Sequence, residues 1–114
     1  MTKILHNPRC SKSRQTLALL EENGETPEVI EYLNTPPSAE ELTFIINELG
    51  IQPRDLMRKG EAEYKELNLA DESLSQEQLI DAMVSTPRLI ERPIVIKHGK
   101  VAVGRPPENV LSIL

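Results

Sequence analysis

The first 32 residues carry the pattern that most restricts the fold: two short β-type stretches with a helical stretch between them. Residues 3–5 and 28–32 are predicted to be strands, the second because Val29 and Ile30 are β-branched and Tyr32 is aromatic. Residues 11–22 predict a helix that stops at Gly24, since glycine is favoured just beyond a last helical turn. A strand, a helix and a strand in this order predict a parallel pair joined by a right-handed crossover.

The middle of the chain reads as helical. Two prolines break the chain after Thr35, and a Ser-x-x-Glu capping pattern predicts a helix from Ser38 to residue 49. A short helical turn is expected over residues 53–57 and a further helix over 75–84. These elements make a helical insert of roughly 50 residues, with the boundary error usual for sequence patterns.

The last third predicts a hairpin and a closing helix. The apolar runs 94–96 and 101–103 flank His98-Gly99-Lys100, a short glycine turn. A final helix is expected from residue 106, and its apolar residues are expected to pack on the sheet: Val110, Leu111 and Leu114. The prediction is therefore one α/β domain over residues 1–114, with a mixed sheet flanked by helices and the helical insert between the β-α-β start and the hairpin.

Composition excludes several functional classes. The net charge of −5 argues against a nucleic-acid partner for the whole surface. The longest apolar runs have four or five residues, whereas a membrane span needs roughly 20. One cysteine cannot form an internal disulfide, and the first residues do not predict an export signal. We therefore expect a cytoplasmic protein that uses neither membrane nor nucleic acid and acts as a monomer.

Cys10 is the strongest candidate for chemistry. It lies at the predicted start of the first helix, where unpaired backbone N–H groups and the helix dipole stabilise an anion. The same groups favour an oxyanion substrate. A lone cysteine is commonly a small buried apolar residue. No apolar side chain occurs between Pro8 and Gln15, however, so this segment is predicted to be exposed and electropositive, as a reactive thiolate requires.

The sequence lacks the residues that a dithiol, metal or nucleotide site requires. Ser13 stands where a C-x-x-C motif would have its second thiol, so a dithiol mechanism is excluded. His6 and His98 are far apart in sequence and make no metal-ligand pattern with Cys10, and His98 is interpreted as a solvated turn residue. No glycine-rich nucleotide motif is present. We expect no metal and no tightly bound cofactor.

Three arginines stand at element boundaries: Arg58, Arg92 and Arg105. An arginine in an acidic protein is most often a surface solubiliser. Together with a thiolate, three of them would instead form an anion clamp, since guanidinium groups match tetrahedral oxyanions. His6 and Ser13 are near enough in sequence to tune the thiolate, or they organise its loop.

Four motifs in order resemble the glutaredoxin-coupled arsenate reductase family over nearly the whole chain. They are residues 6–14 (HNPRCSKSR), 32–37 (YLNTPP), 56–59 (LMRK) and 90–95 (IERPIV), followed by Gly-Arg-Pro at 104–106. The resemblance implies a thioredoxin-like fold with a helical insert. It implies that Cys10 is the nucleophile and that Arg58, Arg92 and Arg105 are the anion-binding and catalytic arginines. It also implies a cis bond before Pro93. The candidates for substrate binding or thiolate tuning are His6, Ser13, Arg14 and Pro93.

The implied activity is reduction of arsenate, as in arsenic detoxification, with glutathione as co-substrate and glutaredoxin as partner. Longer members continue with a charged C-terminal tail, so the resemblance predicts a short branch of the family. A related branch consists of redox-sensitive regulators that bind RNA polymerase and commonly use C-x-x-C. A regulator of this kind is the alternative function, and a thiol protein acting on glutathionylated substrates is a third.

Overall fold

The computed structural model describes residues 2–114, which divide into two compact units. The first unit comprises residues 2–35 and Arg92–Leu114, and the second is Pro36–Glu91. The second unit corresponds to the predicted helical insert, while the prediction that both units form one domain stays a prediction. Among the described residues, no helix has the length and apolar character that crossing a membrane requires.

The first unit contains the predicted β-α-β start. Strand β1 is Thr2–His6, helix α1 is Ser11–Glu22 and strand β2 is Glu28–Glu31. β1 and β2 pair in parallel, which confirms the expected orientation. Gly24 follows α1 with φ of +80°, a conformation that favours glycine.

The hairpin completes a mixed sheet in the order β2-β1-β3-β4. Strands β3 (Ile94–Lys97) and β4 (Lys100–Val103) are antiparallel, and β3 is also antiparallel to β1. His98 and Gly99 form the two-residue turn, both with positive φ, as the primed hairpin turns require. His98 is exposed, in agreement with its interpretation as a turn residue.

The closing helix differs from the prediction. It is a 3₁₀ helix over Pro107–Ile113, in which Val110 is buried and Ile113 is partly buried. Leu111 and Leu114 are 42% and 38% exposed, so the prediction that both pack on the sheet was wrong. A 3₁₀ helix has three residues per turn, which places residues three apart on one face.

The core of the first unit lies between the sheet, α1 and the closing 3₁₀ helix. Its buried members come from all of these elements: Ile4, Leu20, Val95, Ala102 and Val110. Burial of an aliphatic side chain contributes about 1.5–3 kcal/mol. Through Leu20, this cluster holds the C-terminal part of α1 against the sheet.

The second unit is helical, as predicted. Helix α2 is Ala39–Leu49, α3 is Ala62–Glu66 and α4 is Gln76–Ser85, with 3₁₀ helices at Pro53–Leu56 and Pro87–Leu89. Ser38 caps α2 by accepting from the Glu41 N–H, and Gly50 ends it with φ of +66°. α4 packs against α2 and both 3₁₀ helices. The sequence patterns did not predict α3, which has no buried residue.

Candidate active site

Cys10 is the N-cap residue of α1, at the end of the loop that leaves β1. Asn7 organises this loop: its carbonyl accepts from the Cys10 N–H at 3.0 Å, and its Oδ1 accepts from the Arg9 N–H at 3.0 Å. The thiol is half-buried and free. Since the N–H groups of a first helical turn have no partner within the helix, the sulfur stands where a negative charge is stabilised.

Arg92 and Arg105 reach this sulfur from the other end of the unit's sequence. The Arg105 Nη2 atom lies 3.5 Å from Cys10 Sγ, across 95 positions of sequence, and its Nε donates to the Arg92 carbonyl at 2.7 Å. The half-buried Arg92 side chain forms hydrogen bonds with Cys10 and with the buried Tyr32. Two guanidinium groups and a helix start therefore meet at one sulfur.

These surroundings shift the pKa of the thiol. Burial by itself raises the pKa of Cys10, but the Ser13 backbone N–H and the Arg92 side chain outweigh it. The Lys12 N–H and the charge of Arg105 act in the same direction, so the pKa lies below that of an ordinary cysteine. Burial lowers the pKa of Arg92, but its bonds to Tyr32 and Cys10 raise the pKa by more. This guanidinium therefore stays charged.

We expect the alkylation rate of Cys10 by iodoacetamide to reach its plateau at a lower pH than that of a model thiol, whose pKa is roughly 8.5. A lowered pKa means that the thiolate is already populated below that pH and disappears only as the pH falls through the shifted value. The thiolate absorbance at 240 nm, followed against pH, gives the same midpoint independently. A midpoint at or above that of the model thiol would contradict the activated-nucleophile assignment.

His6 and Ser13 form a buried pair behind the loop. Ser13 Oγ lies 2.7 Å from His6 Nδ1 and accepts from the Asn7 N–H at 3.0 Å. Burial lowers the pKa of His6, the charge of Glu31 raises it and that of Arg14 lowers it, with a net decrease. The imidazole is therefore neutral at pH 7, and its Nδ1 atom shares a hydrogen bond with the Ser13 hydroxyl.

Ser13 corrects the prediction that the whole segment after Pro8 is exposed, because it is fully buried. Its hydroxyl has polar partners in the interior, which removes the penalty of burying it. Arg14, in contrast, is exposed, and its Nη1 donates to the Pro8 carbonyl at 2.9 Å, which ties the loop to α1. Binding of an anion by Arg14 stays a prediction.

Pro93 and Gly104 bring the distant arginines to this place. The Arg92–Pro93 bond is cis, as the resemblance implies, and the Arg105–Pro106 bond is also cis. The Gly104 N–H donates to the Pro93 carbonyl at 2.9 Å. A Cβ on Gly104 would lie 2.5 Å from Thr16 Oγ1 and 2.8 Å from Pro93 Cγ, so the close approach of this loop to α1 requires glycine.

Sequence reasoning did not assign a site role to Gly104 or Tyr32. Tyr32 carries a signal only within its motif, because a buried tyrosine after a strand is ordinarily a core residue. Gly104 directly precedes Arg105, and a glycine next to a candidate functional residue is a sign of close backbone approach.

Arg58 belongs to the second unit. Its Nε lies 3.3 Å from Glu61 and its Nη1 lies 3.1 Å from Glu91, while its N–H donates to the Leu89 carbonyl at 2.7 Å. Both carboxylates hold the guanidinium in one orientation. Its predicted part in binding an anion stays a prediction.

Known proteins resemble this chain over nearly its whole length. Residues 5–113 match the model of the ArsC family. The chain belongs to the ArsC family. It is 60% identical to the protein YfgD of Escherichia coli K12, covering 98% of this chain and 95% of that protein. It is 51% identical to a protein named arsenate reductase in Neisseria meningitidis, covering 98% and 97% of the two chains.

A solved structure shares the fold closely. The structure named arsenate reductase from Vibrio cholerae superposes with a TM-score of 0.96 at 55% identity, covering 99% of this chain and 97% of that one. The fold is therefore the thioredoxin-like mixed sheet with flanking helices that the resemblance implies.

Proposed function

We propose that this ArsC-family chain reduces arsenate to arsenite, with Cys10 as the nucleophile. The observation that carries the proposal is the pair of arginines at the sulfur: Arg105 Nη2 stands 3.5 Å from Sγ, and Arg92 bonds to it as well. Guanidinium groups match the geometry of a tetrahedral oxyanion. The names of the relatives from Neisseria meningitidis and Vibrio cholerae support arsenate as that oxyanion.

In the first step, the Cys10 thiolate attacks the arsenic atom of bound arsenate. An S–As bond forms and one As–O bond breaks, with the oxygen leaving as water after protonation. The developing negative charge lies on the remaining oxygens, where Arg92, Arg105 and the first-turn N–H groups of α1 stabilise it. Stabilisation of this kind by preorganised charges is usually the largest catalytic contribution.

The electrons must come from outside the chain, because one thiol cannot release two electrons as an internal disulfide. In the second step, glutathione displaces another oxygen from arsenic, again as water, and forms a second S–As bond. In the third step, a glutaredoxin thiolate attacks the glutathione sulfur. The As–S electron pair stays on arsenic, which falls from +5 to +3 while the two sulfurs form a mixed disulfide.

Water then breaks the remaining bond between Cys10 and arsenic, which releases arsenite and regenerates the thiol. NADPH and glutathione reduce glutaredoxin for the next turnover. We place the reaction in the cytoplasm, the compartment in which a lone free thiol and reduced glutathione persist. His6 and Ser13 act as positioning residues in this scheme, since their bonds fix the loop that carries Cys10.

The test is a coupled assay on the purified wild-type protein. We expect arsenate-dependent oxidation of NADPH only when glutathione, glutathione reductase and glutaredoxin are all supplied. Omission of any of them should stop steady turnover, because each carries electrons that Cys10 alone cannot supply. Phosphate in place of arsenate is the matched control, since it has the same shape and is not reducible.

Equal activity with thioredoxin as sole donor would contradict the proposed donors. The absence of any arsenate-dependent oxidation would contradict the enzyme assignment itself. If the same preparation then bound RNA polymerase in a pull-down with purified subunits, the regulatory function would replace it.

A further inference from the structure

A small cavity lies at the carboxyl ends of the two parallel strands. β1 ends at His6 and β2 ends at Glu31, and these two residues are register partners. The loops that follow each strand enclose a space of about 230 Å³, with Arg9 on one side and Leu33 and Asn34 on the other. Ligands of open α/β sheets characteristically bind outside the carboxyl ends of the strands.

The lining has a particular combination of chemical groups. Arg9 and Glu31 supply one cation and one anion, Asn34 supplies an amide, and Leu33, 39% exposed, supplies an apolar surface. Opposite charges in one small cavity favour a ligand that itself carries both charges, such as an amino acid or a short peptide. A purely anionic ligand would meet Glu31 at the same time as Arg9.

His6 adds to this selectivity. Its ring lines the cavity while its Nδ1 atom is bonded to Ser13 at 2.7 Å. Burial lowers the pKa of His6, the charge of Glu31 raises it and that of Arg14 lowers it, leaving the ring neutral at pH 7. The carboxylate of Glu31 therefore stays available to a cationic group of a ligand.

The cavity is lined by the loop that leads to the nucleophile. Arg9 directly precedes Cys10, and the Cys10 N–H donates to Asn7, another residue of the same wall. A ligand held by Arg9 therefore lies against the loop of residues 7–9, next in sequence to Cys10. On the other side, Arg105 and Arg92 already bond to the sulfur.

We propose that this cavity is the binding site for the glutathione that attacks the arsenic, with the γ-glutamyl ammonium group at Glu31 and a carboxylate at Arg9. The proposal rests on the proposed function, which requires an external thiol. Glutathione carries one ammonium group and two carboxylates around a central thiol, so both charges of the cavity have a partner. The aliphatic part of the γ-glutamyl group lies against Leu33.

Kinetics with Glu31→Gln test the assignment. At saturating arsenate, kcat/KM for glutathione should fall about fivefold, as expected for one partly exposed ion pair. KM for arsenate should not change. Glu28→Gln is the matched control, because Glu28 is an exposed glutamate of the same strand outside the cavity, and it should behave as wild type. Arg9→Gln should give a loss of similar size.

Replacing glutathione with a modified thiol tests the pairing with Glu31 more directly. N-acetylglutathione lacks the ammonium group, so wild type and Glu31→Gln should use it equally well. Only wild type should prefer glutathione over N-acetylglutathione. Retention of that preference by Glu31→Gln would overturn the assigned pairing. A fall for Glu28→Gln equal to that for Glu31→Gln would show that only overall charge matters, which would also overturn it.

Binding without turnover separates this proposal from the proposed function. S-methylglutathione should shift the amide resonances of Arg9, Leu33 and Asn34 in a ¹⁵N-labelled wild-type sample, and in Glu31→Gln the same shifts should require about fivefold more ligand. If that difference is found while wild type shows no arsenate reduction, the enzyme assignment fails and the binding site stands. If wild type reduces arsenate but S-methylglutathione shifts none of these resonances, the site assignment fails and the enzyme stands.

Discussion

Cys10→Ser should reduce arsenate-dependent NADPH oxidation by at least about three orders of magnitude, with glutathione and glutaredoxin at saturating levels. The serine hydroxyl stays protonated at pH 7, so the anion that Arg92, Arg105 and the helix start stabilise never forms. No other thiol exists in the chain to replace it. The coupled assay described above measures the loss directly.

The substitution should leave the fold intact. Cys10 is an N-cap residue with no capping bond from its side chain, and serine is among the preferred N-cap residues, so the melting temperature should be unchanged or raised. Ser11→Ala, at the exposed neighbouring position, is the control and should keep wild-type activity. Activity of Cys10→Ser within tenfold of wild type would eliminate covalent catalysis by this residue.

Sequence signals from neighbouring residues were sufficient to predict most helices and strands of the fold. Gly24 and Gly50 end helices with positive φ, Ser38 caps α2 by its side chain, and His98-Gly99 turns the hairpin, all as the sequence patterns predict. Each of these signals acts within about four residues of the structure that it specifies. A single sequence contains that information completely.

Two helical segments were predicted wrongly or missed. In one, the apolar residues were read with α-helical spacing, and in the other they follow no helical spacing. Val110, Leu111 and Leu114 would share one face of an α-helix, but the segment is a 3₁₀ helix, in which Val110 and Ile113 share a face. Helix α3 buries no residue, so it has no apolar stripe to reveal it.

The site shows the same division between local and long-range information. The position of Cys10 at a helix start follows from the neighbouring residues, whereas Ser13 appeared exposed because polar composition alone says nothing about buried partners. The contact between Arg105 and Cys10 spans 95 positions, and no local pattern encodes it. It was expected only through the resemblance to a family, together with the assignment of Arg92.

Arg92→Gln and Arg105→Gln should each lower kcat/KM for arsenate by roughly two to three orders of magnitude, the loss typical of a removed oxyanion-hole donor. Each replacement keeps a polar side chain but removes the charge that faces the sulfur. The pKa of Cys10 should rise in both variants, because the Arg92 side chain and the charge of Arg105 each lower it. Lys100→Gln, an exposed cation of β4, is the control for loss of charge and should leave both quantities unchanged.

The pH dependence of the two single variants distinguishes transition-state stabilisation from an effect on the thiol alone. If the arginines act only by ionising Cys10, raising the pH should restore activity in both single variants, since the thiolate then forms without them. If they also stabilise the oxygens of arsenate, the loss should persist at a pH where Cys10 is fully ionised. In the double variant, the losses of kcat/KM caused by the two substitutions should not add. Arg105 Nε also bonds to the Arg92 carbonyl and so positions the loop that both arginines share. A loss of less than threefold in either single variant, measured at a pH where the thiol is ionised, would remove that arginine from the anion site.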